Sequence, residues 1–338
     1  MHQWLNRIWY SNRNIGWMLL LPFSGLYTFL SWLHRSLWQA GILRAEPLQV
    51  PVIVVGNITA GGTGKTPLVI WLADCLQDMG MRPGVMSRGY GGRSGKEPVR
   101  VSPDMSPDDC GDEPVMMAGR LSCPIMVGSD RVAVAKALIG IGCDVLIADD
   151  GLQHRRLVRD FEILVIDGER GFGNGSRLPA GPLRESPQRM QTVDCVVVNG
   201  GRAKSGFGSS AMHMDLAGDR LRRLDDSEKT ELDDWSEPVH AIAGIGNPDR
   251  FFDRLEQAGL TIERHAFGDH FSYREKNLEF GGDLAIVMTE KDAVKCRSLD
   301  LANAWYLPVT AKFSGNGEGQ IREQLKEMLH LHNTCPEN

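Results

Sequence analysis

Val52-Ile-Val-Val-Gly-Asn-Ile-Thr-Ala-Gly-Gly-Thr-Gly-Lys-Thr-Pro67 decides the fold of this chain. The β-branched run 52–55 predicts a buried strand, and the apolar periodicity of 68–79 predicts a helix. Strand, glycine-rich turn, Gly-Lys-Thr and helix in that order form a phosphate-binding loop. Gly61, Gly62 and Gly64 let backbone N–H groups converge on phosphate oxygens, and the helix N-terminus adds partial positive charge. Lys65 is expected to reach the β- and γ-phosphates of a nucleotide, and the Thr66 hydroxyl to ligate Mg²⁺. Thr59, Ala60 and Thr63 complete the expected nucleotide-binding loop. The general pattern has glycine where Thr59 stands; the nearest glycine upstream is Gly56. The bland alternative is a tight glycine turn without a ligand.

Around this loop, strands are expected at 82–86, 99–101, 125–127, 145–148, 161–166 and 195–198, alternating with helices. That alternation predicts an α/β fold, a mostly parallel sheet sandwiched by helices. Residues 200–237 lose periodicity and gain charge, so 206–237 reads as a polar connector. A smaller α/β domain is expected over 238–330, beginning at Val239-His-Ala-Ile-Ala-Gly-Ile-Gly-Asn-Pro248. The phosphate-loop domain then spans 44–205, and 1–43 stands apart as a helical segment.

That first segment carries no charge from Asn14 to Leu33, and about 20 helical residues match a bilayer's hydrocarbon thickness. Arg7, Arg13 and Arg35 flank it, with Trp4, Trp9, Trp17, Trp32 and Trp38 as interfacial anchors. Pro22 and Gly25 interrupt it, which favours a bent helix lying in the membrane plane over a spanning one. No small-x-small cleavage site follows it. The bland alternative is a core helix. A net charge of −6 argues against a dedicated nucleic-acid binder. Seven scattered cysteines without a C-x-x-C pair indicate reduced thiols in a cytosolic compartment and no structural zinc.

Several strand ends and loops carry chemistry. Asp149 and Asp150 close an apolar strand, where a carboxylate binds Mg²⁺ directly or through water; the alternative is a helix cap. Asp112 and Glu113 either complement a helix dipole or orient an attacking hydroxyl. His270, in Gly268-Asp-His-Phe-Ser-Tyr273, is either structural or a proton shuttle. Arg88 and Tyr90 sit in Ser87-Arg-Gly-Tyr-Gly-Gly92 after a strand, where ligands of open sheets gather, or in a flexible connection. Arg177 and Arg184 flank Leu178-Pro-Ala-Gly-Pro-Leu183 and match phosphate oxygens, or are merely solvated. Gln153, His154, Arg155 and Arg156 follow the acid pair closely enough to face the same ligand.

In this order, with Phe267-Gly-Asp-His270 and Thr289-Glu-Lys-Asp292, the motifs resemble the tetraacyldisaccharide 4′-kinase (lipid A 4′-kinase) family. The resemblance covers nearly the whole chain and includes the Thr59 form of the loop. It implies transfer of the ATP γ-phosphate to the 4′-hydroxyl of tetraacyldisaccharide 1-phosphate, giving lipid IVA, at the cytoplasmic face of the bacterial inner membrane. It further implies an Asp112–His270 catalytic dyad, and Mg²⁺ held by Thr66 with Glu113, Asp149 and Asp150. Tyr90 and Arg184 are implied at the lipid headgroup, and 289–292 near the nucleotide base. A membrane-associated ATPase or GTPase switch is the rival reading, since it uses the same Gly-Lys-Thr and acid pair.

Overall fold

The computed structural model describes residues 2–10, 15–93, 95–201 and 206–334. Two helices, α1 (His2–Tyr10) and α2 (Ile15–Gln39), precede β1 (Val52–Gly56) and α3 (Lys65–Asp78). There follow β2 (Pro83–Ser87), β3 (Val99–Arg100), α4 (Pro107–Cys110), α5 (Asp112–Ala118), β4 (Ile125–Val127), α6 (Arg131–Gly140) and β5 (Val145–Asp149). β6 (Phe161–Asp167), β7 (Cys195–Asn199), β8 (Met212–Ala217), β9 (Arg220–Arg223) and β10 (Lys229–Glu231) come next. The remainder is β11 (Val239–Ala243), α7 (Pro248–Gln257), β12 (Ile262–Ala266), β13 (Ala285–Thr289), α8 (Glu290–Cys296), β14 (Ala304–Leu307), β15 (Thr310–Phe313) and α9 (Gly317–Thr334).

Nine strands form one sheet in the order β15-β8-β7-β6-β1-β5-β2-β4-β3. β1 lies at its centre, parallel to β5 and β6, and every residue of it is buried. An apolar, β-branched strand suits a position covered on both faces. Only β3 and β15 pair antiparallel, at the two edges. Val55 stands opposite Asp149, so register alone brings the glycine loop and the acid pair to the same carboxyl edge. The second sheet, β10-β9-β14-β13-β11-β12, is parallel from β14 to β12. α7 packs Phe252 and Leu255 beneath it.

The segments assigned to a connector and a separate carboxyl domain divide differently. Within 206–237, β8 joins the large sheet, while β9 and β10 join the small one. Met212 and Met214 alternate inward with a less buried His213 between them, a period-two signal hidden by the charge that follows. Residues 310–334 leave the second sheet and return to the first. β15 pairs with β8, and Ala311, Ile321, Leu325 and Met328 enter the large core. The chain therefore crosses between the lobes twice.

Among the described residues α2 is the one helix long and apolar enough to cross a membrane, and only 6% of its apolar stretch is buried. Leu19, Phe23, Leu26 and Leu30, spaced by three and four, form an exposed stripe. Another face is tied down: Ser24 donates to the Arg177 carbonyl, and Tyr27 donates to the Arg184 carbonyl. α2 runs as one helix with Pro22 inside it. Trp9 is not an interfacial anchor: it is buried, and its indole donates to the Pro179 carbonyl. Arg13 lies outside the described residues.

Candidate active site

α3 begins at Lys65, three residues before the expected start, because Pro67 in its first turn needs no N–H partner. Gly64 caps it at φ 85°, and a Cβ there would lie 2.1 Å from the Asn199 side-chain nitrogen. That nitrogen donates to the Thr63 carbonyl at 2.9 Å and braces the loop from the end of β7. Gly61 is at φ 106° with open space where a Cβ would stand. Gly61, Gly62, Thr63, Gly64, Lys65 and Thr66 line a cleft of about 1780 Å³ between the two lobes. Thr59 and Ala60 correct the expected loop. The Ala60 N–H donates to the Pro182 carbonyl at 2.7 Å, Thr59 is bridged to Leu183, and only Ala60 reaches the cleft wall. The glycine missing from the general pattern is thus replaced by a short ladder onto the 177–185 loop.

The two aspartates behave differently. Asp150, at φ 49°, lies 3.5 Å from the Lys65 ammonium and 3.0 Å from the Arg184 guanidinium. Burial works to raise its pKa, but Lys65 and Arg184 together hold the carboxyl down at about 2. Asp149 is buried, accepts from the Ser87 hydroxyl at 3.3 Å, and has one carboxylate oxygen with no hydrogen-bond partner. Burial and the nearby Glu113 carboxylate push it up to about 7. An orphaned buried oxygen raised by a second acid, beside Thr66 and Glu113 on the cleft wall, fits a hard divalent cation such as Mg²⁺. Asp150, engaged by two cations, is the less available ligand.

The second lobe closes the site from above. His270, at φ 58°, lies 3.1 Å from both carboxylate oxygens of Asp112 through Nδ1. Asp150 and His270 are two of three non-glycine residues with positive φ among the described residues, a strain that clusters at functional positions. Lys291 lies 3.1 Å from Glu113, 3.2 Å from Asp269 and 3.7 Å from Asp112. One residue earlier, Glu290 accepts from Arg120 at 3.0 and 3.1 Å, so α8 is clamped onto the acidic end and the tail of α5. Lys291 therefore bears on the acids of α5, while Thr289, Glu290 and Lys291 all line the cleft. Asp292 is buried away from the cleft, accepting from the Gly244 N–H and the Tyr273 hydroxyl.

Burial would raise the Asp112 pKa, but the His270 bond and the Lys291 charge bring it down to about 2. The same bond raises His270 above its ordinary value against the opposing effect of burial. The signs follow from linkage. The depressed Asp112 contributes stability above about pH 3.9 that is lost as pH falls toward its folded value. The raised His270 contributes below about pH 6.5 and loses its contribution as pH rises through its folded value. In an NMR titration, His270 is expected to titrate above about 6.5 in the native chain and to drop on Asp112→Asn. An unchanged midpoint in the variant would show that the pair is not coupled.

The other expected residues divide. Arg88 and Tyr90 are exposed on the cleft wall, with the Tyr90 ring 5.1 Å from His270. Arg184 faces the cleft but holds Asp150. Gln153 donates to the Asn57 carbonyl and to Glu185, and accepts from Arg184, so it braces two loops. Asn199 and Arg131 passed unnoticed in the sequence, and Lys291 stood out only as part of the 289–292 motif. Asn199 supports the glycine loop, and Lys291 joins the lobes. Arg131, buried at the start of α6, donates to the Met86 and Asp149 carbonyls and sets a positive charge behind the acid pair. An arginine directly after an aspartate cap at a strand end was the available signal for it.

The family model described as LpxK, tetraacyldisaccharide-1-P 4′-kinase, matches residues 16–330. A tetraacyldisaccharide 4′-kinase of Alkalilimnicola ehrlichii is 49% identical over 317 residues, 93% of each chain. That of Nitrosococcus oceani is 45% identical over 339 residues, 97% of each. Among solved structures, LpxK from Aquifex aeolicus in complex with ATP superimposes with a TM-score of 0.76 at 29% identity. That match covers 93% of this chain and 100% of the other. A glycine loop under two acids, a dyad contributed by both lobes, and these whole-length likenesses lead to one conclusion: the chain belongs to the tetraacyldisaccharide 4′-kinase family.

Proposed function

We propose that the chain transfers the γ-phosphate of ATP to the 4′-hydroxyl of a tetraacyldisaccharide 1-phosphate, at the cytoplasmic face of the inner membrane. The observation that carries this reading is the convergence of Lys65 and His270 on one cleft, with Asp112 paired to His270 behind its wall, beside an exposed apolar helix. ATP lies along the glycine loop, its β- and γ-phosphates on the Lys65 ammonium and the loop N–H groups. Thr66, Asp149 and Glu113 would hold Mg²⁺, which would neutralise charge on the phosphate oxygens. Asp112 accepts the proton of the 4′-hydroxyl, with His270 fixing the carboxylate toward the acceptor. A carboxylate of depressed basicity suits a loose phosphoryl-transfer transition state, in which the acceptor keeps its proton until late. Tyr90 and Arg88, exposed at the rim, take the sugar headgroup. Two lobes that meet over the loop exclude water, so phosphate passes to the lipid in preference to hydrolysis.

α2 lies in the membrane plane with Leu19, Phe23, Leu26 and Leu30 among the acyl chains, and the opposite face stays tied to the 176–184 loop through Ser24 and Tyr27. The acceptor's acyl chains and the catalytic cleft are thereby confined to one surface.

The test is radiolabelled γ-phosphate transfer, resolved by thin-layer chromatography, with purified protein, Mg²⁺ and the disaccharide lipid. Label is expected in the lipid, with little ATP turnover until acceptor is added. Slow hydrolysis that ignores the lipid and responds to a protein partner would favour the switch reading.

A further inference from the structure

The free edge of the second sheet carries a side-chain cluster that phosphoryl transfer does not use. β12 is the outermost strand, and Glu263 and His265 stand two residues apart on it, hence on one face. β11 pairs with it in parallel, His240 opposite Glu263 and Ile242 opposite His265, so His240 enters the gap between the two side chains. Its Nδ1 lies 3.1 Å from the Glu263 carboxylate and 3.2 Å from His265 Nε2. All three donor atoms fall within 4.8 Å of one another. Phe280 stacks on His265 with centroids 3.8 Å apart and leans on His240 at 4.8 Å, giving the cluster an apolar wall.

Hydrogen bonding serves this arrangement poorly. Nδ1 of a neutral imidazole carries at most one proton, yet it faces a carboxylate oxygen and a second ring nitrogen, and only a shared proton would serve all three. A cation accepts all three lone pairs at once. Two ligands at about 2.0–2.1 Å from a tetrahedral ion stand roughly 3.3–3.4 Å apart, close to the two short separations observed. Two imidazoles and one carboxylate are the donor set of a borderline divalent metal, not of Mg²⁺, and such a site leaves no cysteine pattern in the sequence.

We propose that His240, Glu263 and His265 bind a zinc-type divalent cation, with a fourth position open to solvent on the exposed Glu263 side. The bound cation pins β12, and the loop bearing His270 leaves that strand directly.

The full-length chain, stripped with EDTA and desalted, is titrated with Zn²⁺ alone and the bound metal is counted with a chromogenic chelator. Because zinc also meets carboxylates in the cleft, Asp149→Asn serves as the control for that site. Wild type and Asp149→Asn are both expected to hold one equivalent that His265→Gln lacks. Co²⁺ is expected to give the intense visible bands of tetrahedral coordination in wild type and to lose them in His265→Gln. Glu263→Gln, at an exposed position where folding is not at stake, is expected to weaken zinc binding about tenfold or more. Equal zinc content in wild type and His265→Gln, no binding by wild type at micromolar zinc, or unchanged affinity in Glu263→Gln would each overturn the proposal.

Discussion

Lys65→Ala is expected to lower phosphoryl transfer by on the order of 10³-fold at saturating ATP and lipid. Lys65 is the only cation between Thr59 and Thr66, and its side chain is 10% exposed at the base of the cleft. Two nearby cations are already committed: Arg184 is bound to Asp150, and the Arg131 guanidinium is engaged by two carbonyls. The fold should survive, because Asp150 keeps Arg184 as a partner when Lys65 is removed. Initial-rate measurement of lipid phosphorylation, with circular dichroism as a control for folding, checks this. Turnover within a few-fold of wild type would remove Lys65 from the site.

The second large effect concerns the dyad. Asp112→Asn is expected to lower kcat by about 10²–10⁴-fold, the range of a lost general base, with KM for ATP little changed. The split follows from position. Asp112 is buried against His270 and Lys291 and pairs with no residue of the glycine loop, so on the proposed reading it serves the acceptor and not the nucleotide. Asparagine keeps the shape and one acceptor oxygen, so Lys291 retains Glu113 and Asp269 as partners and the lobes remain joined. If ATP affinity collapses together with kcat, Asp112 belongs with the cation ligands, and Glu113 and Asp149 would need reassignment.

The stretch from Val52 to Pro67 was readable alone, because a phosphate loop is a local structure. β-branched residues make the strand, and glycines at φ 106° and 85° make the turn. The strand ends at Ser87 and Asp149 were readable for the same reason, as apolar runs closed by polar residues. The exposed stripe of α2 was visible as an uncharged run.

Partnership was a different matter, since it depends on contacts between residues far apart in the chain. Thr59 and Ala60 look like phosphate ligands by position, but the 177–185 loop takes the Ala60 N–H. Asp149 and Asp150 look equivalent in sequence, yet burial raises one while two cations hold the other down. Asp112 and His270 are 158 residues apart, and Lys291 reaches the same acids only because α8 docks on α5. The local sequence thus determined the phosphate loop and the carboxyl edge on which it stands, through backbone freedom and β-branching. Tertiary structure decided which acid carries charge, which cation is occupied, and which lobe each end of the chain rejoins, because desolvation and Coulomb energies depend on distances that only the fold creates.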